Sequence, residues 1–344
     1  MALHSGWLGL TLAASSLVVL QCAAVHNSPV DAGKPGGGVG TPSGASGSAK
    51  GSPLPAIVLA DHVDADRVVV DGTDLFWANA GTGAIVSMNW HTLAIKVLAS
   101  SQTGVQRLAI DASRVYWTKG EGLGGGGAYS VARVGGKVEM LTGFGPTKVG
   151  GPKGIAVTND GVYLAWSIPG GTVERVRKDG QPDAAFATEQ AMPTDVAVDS
   201  GSVYWTVLGS GGSNGVVMKR PLDLGVLSTV AHHQASPAWL VADAAGSVFW
   251  IVSGVNGSSG AVLKNSGAGP IVLAPVRGGS GLAVDDTWVY FTSREDGLVQ
   301  RVRKDGSERT LLARDQGSPC GVALASDTIF WVNRTDQTIV TISK

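Results

Sequence analysis

Several stretches of the chain spell patterns associated with chemistry. Gly120-x-Gly122-x-x-Gly125 has the letters of a dinucleotide fingerprint. That fingerprint needs a following helix whose N-terminus meets the pyrophosphate. Here a strand follows, around Tyr129 to Val134, so the glycines read as a long hairpin loop. Gly211-Gly212-Ser213-Asn214-Gly215 matches Gly-x-Ser-x-Gly. A nucleophile elbow requires strand, tight turn and helix, whereas Ser213 leads into Val216-Val217-Met218, another strand. No Walker A sequence occurs. No residue is therefore assigned a catalytic role.

Beyond His4, the histidines are His26, His62, His91, His232 and His233. None is paired at the i, i+4 spacing of a helical zinc site. Adjacent residues of a strand point to opposite faces, so His232 and His233 are not expected to share a metal. Asp71, Asp111, Asp199, Asp243 and Asp285 recur at regular places and suggest a ring of carboxylates. Each ends an apolar triplet, so the simpler expectation is a turn residue that accepts backbone N–H groups. With only six Glu in the chain, no metal set aligns, and no metal or cofactor is expected.

The elements that hold these residues come from a repeat. Aromatic pairs end short apolar runs at Phe76-Trp77, Tyr116-Trp117, Tyr163-Leu164, Tyr204-Trp205, Phe249-Trp250, Tyr290-Phe291 and Phe330-Trp331. Each follows a triplet such as Val68-Val69-Val70 and precedes strands such as Val173–Val176 and Thr310–Ala313. No stretch shows a helical period of ten or more residues. Four short strands in each unit of roughly 40 residues form the signature of a propeller blade. Lys178-Asp179-Gly180 and Lys304-Asp305-Gly306 place Asp-Gly turns between third and fourth strands. The fold class is all-β, a seven-bladed β-propeller of four-stranded blades, with a six-bladed ring as the alternative. The last copy stops after three strands, and Ala56–Ala60 matches an unpaired fourth strand. Pairing the two ends closes the ring and removes its open edges.

Composition agrees with this. Gly numbers 50 of 344 residues, charged residues make up 15% and mean hydropathy is +0.17, which together exclude a disordered or highly charged helical chain. Lys+Arg 26 against Asp+Glu 27 gives a net charge of −1 and excludes nonspecific nucleic-acid binding.

The first 55 residues read as address and tether. Residues 1–24 form a signal peptide whose apolar run, Trp7 to Leu20, is short for a membrane span. An uncleaved signal anchor is the alternative. Val19-Leu20-Gln21-Cys22-Ala23 resembles a bacterial lipobox, with Gln21 where a small residue is usual. The resemblance implies that Cys22 carries lipid and that the protein is an exported lipoprotein of the cell envelope, touching membrane only through that anchor. Plain secretion is the alternative. Residues 25–55 are a linker: from Ser28 to Pro55, 18 of 28 residues are Gly, Pro or Ser. Residues 56–344 are the propeller. With Cys22 lipidated or removed, Cys320 has no partner for a disulfide.

Tyr116-Trp117-Thr118 and Tyr204-Trp205-Thr206 resemble the YWTD repeat of the low-density-lipoprotein-receptor class B type. Pro152-Lys153-Gly154-Ile155-Ala156 and Pro319-Cys320-Gly321-Val322-Ala323 are similar to NHL-type propellers. The resemblance covers Pro55 to Lys344. The Asp of YWTD is replaced by Asn79, Lys119, Val207, Val252, Ser293 and Asn333, and YWTD rings have six blades. The resemblance therefore implies the fold and leaves the ligand open.

In such a ring, residues just before the innermost strand stand at one mouth of the axis. That position reads Arg67, Arg107, Gly154, Asp195, Trp239, Gly281 and Gly321, with Lys153 one residue earlier. Arg67, Arg107 and Lys153 form a cationic side, Trp239 an aromatic wall beside Asp195, and the glycines leave room. The alternative is that the cations pair with carboxylates such as Asp64 and Asp66. The function expected is an envelope-tethered binding module. Its ligand is a small anion or glycan, or a protein partner, and not nucleic acid. The alternatives are a propeller enzyme of the lyase or lactonase type, resembling virginiamycin B lyases or gluconolactonases, and a scaffold.

Overall fold

The structure is a computed structural model describing residues 55–120, 126–143, 151–168, 170–209, 213–253 and 260–344, without the side chains of residues 182 and 184. Cys22, Gly122, Gly125, Gly211 and Gly212 lie outside the described residues.

Seven four-stranded antiparallel sheets are present, and the described residues contain no helix. The six-bladed alternative is excluded. In six sheets the strands follow in chain order from the axis outward. Their inner strands are Val68–Asp71, Val105–Ile110, Pro152–Val157, Pro193–Val198, Pro237–Ala242 and Gly279–Val284. The seventh blade begins at Pro319–Leu324 and is completed by Ile57–Ala60, which pairs antiparallel with Thr338–Ser343, Ile57 opposite Thr341. Closure by the N-terminal strand thus holds as expected.

Among the described residues the apolar core is divided between the blades. Seven apolar clusters fill the spaces around the ring. The aromatic pairs explain how. Neighbouring strand residues face opposite ways, so each pair serves two spaces. Trp117 packs with Phe76 and Leu98 of blade one, while Tyr116 packs with Ile155 and Val162 of blade three. Both are fully buried.

The polar ends of these rings are held by residues the repeat supplies elsewhere. Indole N–H groups of Trp205, Trp250 and Trp331 donate to the side-chain oxygens of Gln190, Gln234 and Gln316 at 2.9, 2.9 and 3.0 Å. Gln190 and Gln234 end the outer strands of the preceding blades, and Gln316 lies in the connection that leads into the last blade. The hydroxyls of Tyr116, Tyr204 and Tyr290 donate to Asp111, Asp199 and Asp285 at 2.8 Å. The same aspartates accept turn N–H groups, as from Ser113 and Arg114 at 2.8 Å. The carboxylate ring is therefore structural.

A cation from the next blade closes several of these turns. Lys178 reaches Asp111 at 2.7 Å, Lys304 reaches Asp243 at 2.7 Å, Lys344 reaches Asp285 at 3.3 Å, and Arg133 binds Asp71. Burial works against the charge of Asp243, but hydrogen bonds from Lys304 and the Ser247 N–H hold its pKa below the ordinary carboxylate value.

The other sequence patterns fall into place as strands and turns. Gly127–Ala132 follows the Gly120 loop and Gly215–Pro221 follows Ser213. His232 and His233 depart from the alternation expected of a strand. Both are exposed, because His233 takes a left-handed backbone at φ +55°. Asn333, which stands in the place of the YWTD aspartate, is buried and donates its amide N–H to the Gln316 side-chain oxygen at 2.9 Å.

Candidate functional site

The mouth is built from β-bulges. Where the fifth inner strand begins, Ala238 lies opposite Ile251 and Val241 opposite Phe249, so two residues face one. The bulge holds Trp239 at φ +53°, a left-handed conformation unusual for a bulky side chain and worth about 1–3 kcal/mol of strain. Its ring meets the first two blades. The Arg67 guanidinium carbon lies 4.5 Å from the ring centroid and that of Arg107 lies 5.0 Å from it.

Asp195 organises this group from beneath. It is 3% exposed. One carboxylate oxygen accepts the N–H of Leu240 at 3.1 Å, fixing the bulge next to Trp239, and lies 3.8 Å from Arg67 Nη2. The other accepts the N–H of Val196 at 3.2 Å. The repeat alone predicts Trp239 across an open cleft from the cations. In the fold, Trp239, Arg67, Arg107 and Asp195 are one connected cluster, while Lys153 is exposed on the rim.

The glycines do not leave room. A Cβ on Gly154 would lie 2.9 Å from Asp195 Cα, one on Gly281 2.8 Å from the Gly321 nitrogen, and one on Gly321 2.6 Å from Arg67 Cα. Glycine is needed there because neighbouring inner strands touch backbone to backbone.

Two further cations join the mouth. Arg294 and Arg334, just beyond the second strands of blades six and seven, line a cavity of about 110 Å³ together with Arg107, Trp239, Asp66 and Cys320. The antiparallel turn from inner to second strand brings the far end of one beside the start of the other. The signal was the residue following Ser293 and Asn333.

The pairing expected of Asp66 occurs with Arg334, at 3.1 Å, and not with Arg67. Four arginines thus meet Asp66 and Asp195, and Asp64 lines the adjoining cavity beside Arg67, Arg107 and Arg334. Among the described residues Arg107 and Arg294 have no carboxylate within ion-pair distance. Arg107 spends one N–H on the carbonyl of Gln106 at 3.1 Å, and the buried Nε atoms of both Arg67 and Arg107 have no partner among the described residues. Burial, and then the neighbouring Arg107, lower the pKa of Arg67 to about 10, so it remains charged at neutral pH. Burial, and then Asp66, push the Cys320 thiol up to about 12, which keeps it protonated and unreactive.

Among the described residues, no histidine lines the mouth: His62 is exposed beside Asp61, and His91 lies tilted against Trp90 at the other end of the axis. His4 and His26 precede the propeller. The described residues also contain no group of three or more His, Cys, Asp or Glu placed to hold a metal ion.

Comparison with solved structures finds β-propellers. The chain is similar to virginiamycin B lyase from Staphylococcus aureus, in a catalytically inactive His-to-Ala form with quinupristin, at 13% identity over 84% of this chain and 98% of that one, TM-score 0.65. It is similar to regucalcin, a calcium-binding protein from Agrobacterium tumefaciens, at 11% identity over 84% and 94%, TM-score 0.53. It is also similar to an auxiliary nutrient binding protein from Bacteroides thetaiotaomicron, at 12% identity over 82% and 69%, TM-score 0.55. At these identities the likeness concerns the fold. No family model and no curated protein matches the chain.

Proposed function

We propose that the protein is a binding module for a small anionic ligand, tethered to a bacterial envelope through a lipidated Cys22, with its site at the propeller mouth. The observation that carries this reading is the Arg67–Trp239–Arg107 cluster. A guanidinium held over an indole still has N–H groups to offer, and a pair of them matches a carboxylate or phosphate with two parallel hydrogen bonds. The excess of arginine over carboxylate leaves Arg107 and Arg294 in need of an anion.

The lyase neighbour is inactivated by loss of one histidine. The mouth described above is lined by arginine, aspartate and tryptophan, and the binding reading rests on that lining.

Calorimetric titration of acetate, inorganic phosphate and acidic sugars tests the proposal. At least one should bind the parent and lose at least tenfold in affinity with Arg67→Ala/Arg107→Ala. Equal binding by both proteins would overturn the reading.

A further inference from the structure

Beneath Trp239 the axis holds an open cavity of about 420 Å³ between the inner strands of blades one, two, five, six and seven. Below Arg67 and Trp239 every lining side chain is apolar, among them Val69, Ile110, Val241, Leu282, Val284 and Leu324. Hydrogen bonding there falls to the main chain. Each inner strand pairs with a single neighbour, so its second edge carries N–H and C=O groups without a strand partner. Such a wall suits a bare hydrocarbon poorly, because those groups would lose water and gain nothing. It suits a chain that brings its own amides, as in strand addition to a sheet edge.

The dimensions point the same way. From Arg67 to Val70 the wall is three extended residues deep, about 10 Å. A volume of 420 Å³ over that depth gives a cross-section of about 40 Å². One strand occupies about 48 Å², from a strand spacing of ~4.8 Å and a sheet spacing of ~10 Å, and less with small side chains. At about 40 Å² the cross-section falls short of a full strand, so the axis takes one extended chain whose side chains are small and no folded one. Its charged end is the arginine mouth.

Building on the reading of that mouth as an anion site, we propose that the ligand is the C-terminal end of a short peptide. Its carboxylate sits at Arg67 and Arg107. About three residues with small apolar side chains run down the axis along the inner strand edges.

Titration of the full chain with N-acetyl-Ala-Val-Ala, its C-terminal amide, octanoate and acetate tests this. The free acid should bind at least tenfold tighter than the amide and than acetate, and affinity should rise from one residue to three and then level off. Ala242→Leu, which narrows the axis, should weaken the tripeptide more than tenfold and leave acetate unchanged. Acetate binding as tightly as the tripeptide would overturn the peptide and leave the anion site standing. Octanoate matching the tripeptide would give the axis to hydrocarbon. An Ala242→Leu protein that keeps full tripeptide affinity would place the chain outside the axis. No binding by any anion would remove the mouth reading itself.

Discussion

Replacing Gly321 by alanine isolates the close approach of the blades at the mouth. Gly321 sits at φ +53°, and a Cβ there would lie 2.6 Å from Arg67 Cα and 2.7 Å from the Asp66 carbonyl oxygen. Both neighbours are backbone, so neither can swing aside. Gly72→Ala is the control. Gly72 has nearly the same conformation, φ +57°, with nothing within 4 Å of the added carbon. The left-handed conformation alone costs an alanine about 1 kcal/mol. Overpacking against fixed backbone adds about 2 kcal/mol. A domain of this size shifts its melting temperature by roughly 2 °C per kcal/mol. Gly321→Ala should therefore melt about 6 °C below the parent and Gly72→Ala about 2 °C below, by circular dichroism at a common scan rate. Gly321→Ala should also weaken anion binding, since Arg67 follows the displaced backbone. Equal shifts for the two variants would refute the argument that backbone contact between blades seven and one sets the shape of the mouth.

Deleting Pro55 to Asp61 should lower the melting temperature of the whole propeller by about 5 °C or more, because the last blade then exposes an open edge and loses the packing of Leu59 and Ala60. A melt within a degree or two of the parent would contradict closure by Ile57–Ala60. The interblade pair Lys304–Asp243 makes stability depend on pH: the folded carboxylate has the lower pKa, so its contribution is complete above the unfolded value of about 4 and fades as pH falls through the folded one. Asp243→Asn should cost about 1–2 kcal/mol at pH 7 and flatten the acid limb of a melting-temperature profile, whereas parallel profiles would contradict the assignment. Mass spectrometry of the mature N-terminus should find lipid on Cys22, and Cys22→Ala should release the protein from membranes. An unmodified terminus at Val25 would favour secretion.

The architecture was legible because it is written seven times over. A one-residue error in a single blade is corrected by the other six, and an aromatic pair facing two ways at once is a strong period-2 signal. The hydrogen-bond partners of those rings were less visible. Gln190, Gln234 and Gln316 precede their tryptophans by 15, 16 and 15 residues, across a strand and a bulge, and no local rule links them. At the mouth, alignment found Arg67, Arg107, Asp195 and Trp239 because they share one position in the repeat. It missed Arg294 and Arg334, which reach the same place from another element. It also took Gly154, Gly281 and Gly321 for open space. A missing side chain is visible in a sequence, but the backbone that fills its place belongs to a different blade.

The most direct test of the mouth as an anion site is a crystal structure of the propeller grown with inorganic phosphate or acetate and compared with one grown in chloride alone. The account predicts density for the anion within hydrogen-bond distance of the guanidinium edges of Arg67, Arg107 or Arg294, beside the Trp239 ring and absent from the chloride crystal. A mouth free of anion at saturating concentration, with Arg107 and Arg294 turned outward into neighbouring carboxylates, would contradict it.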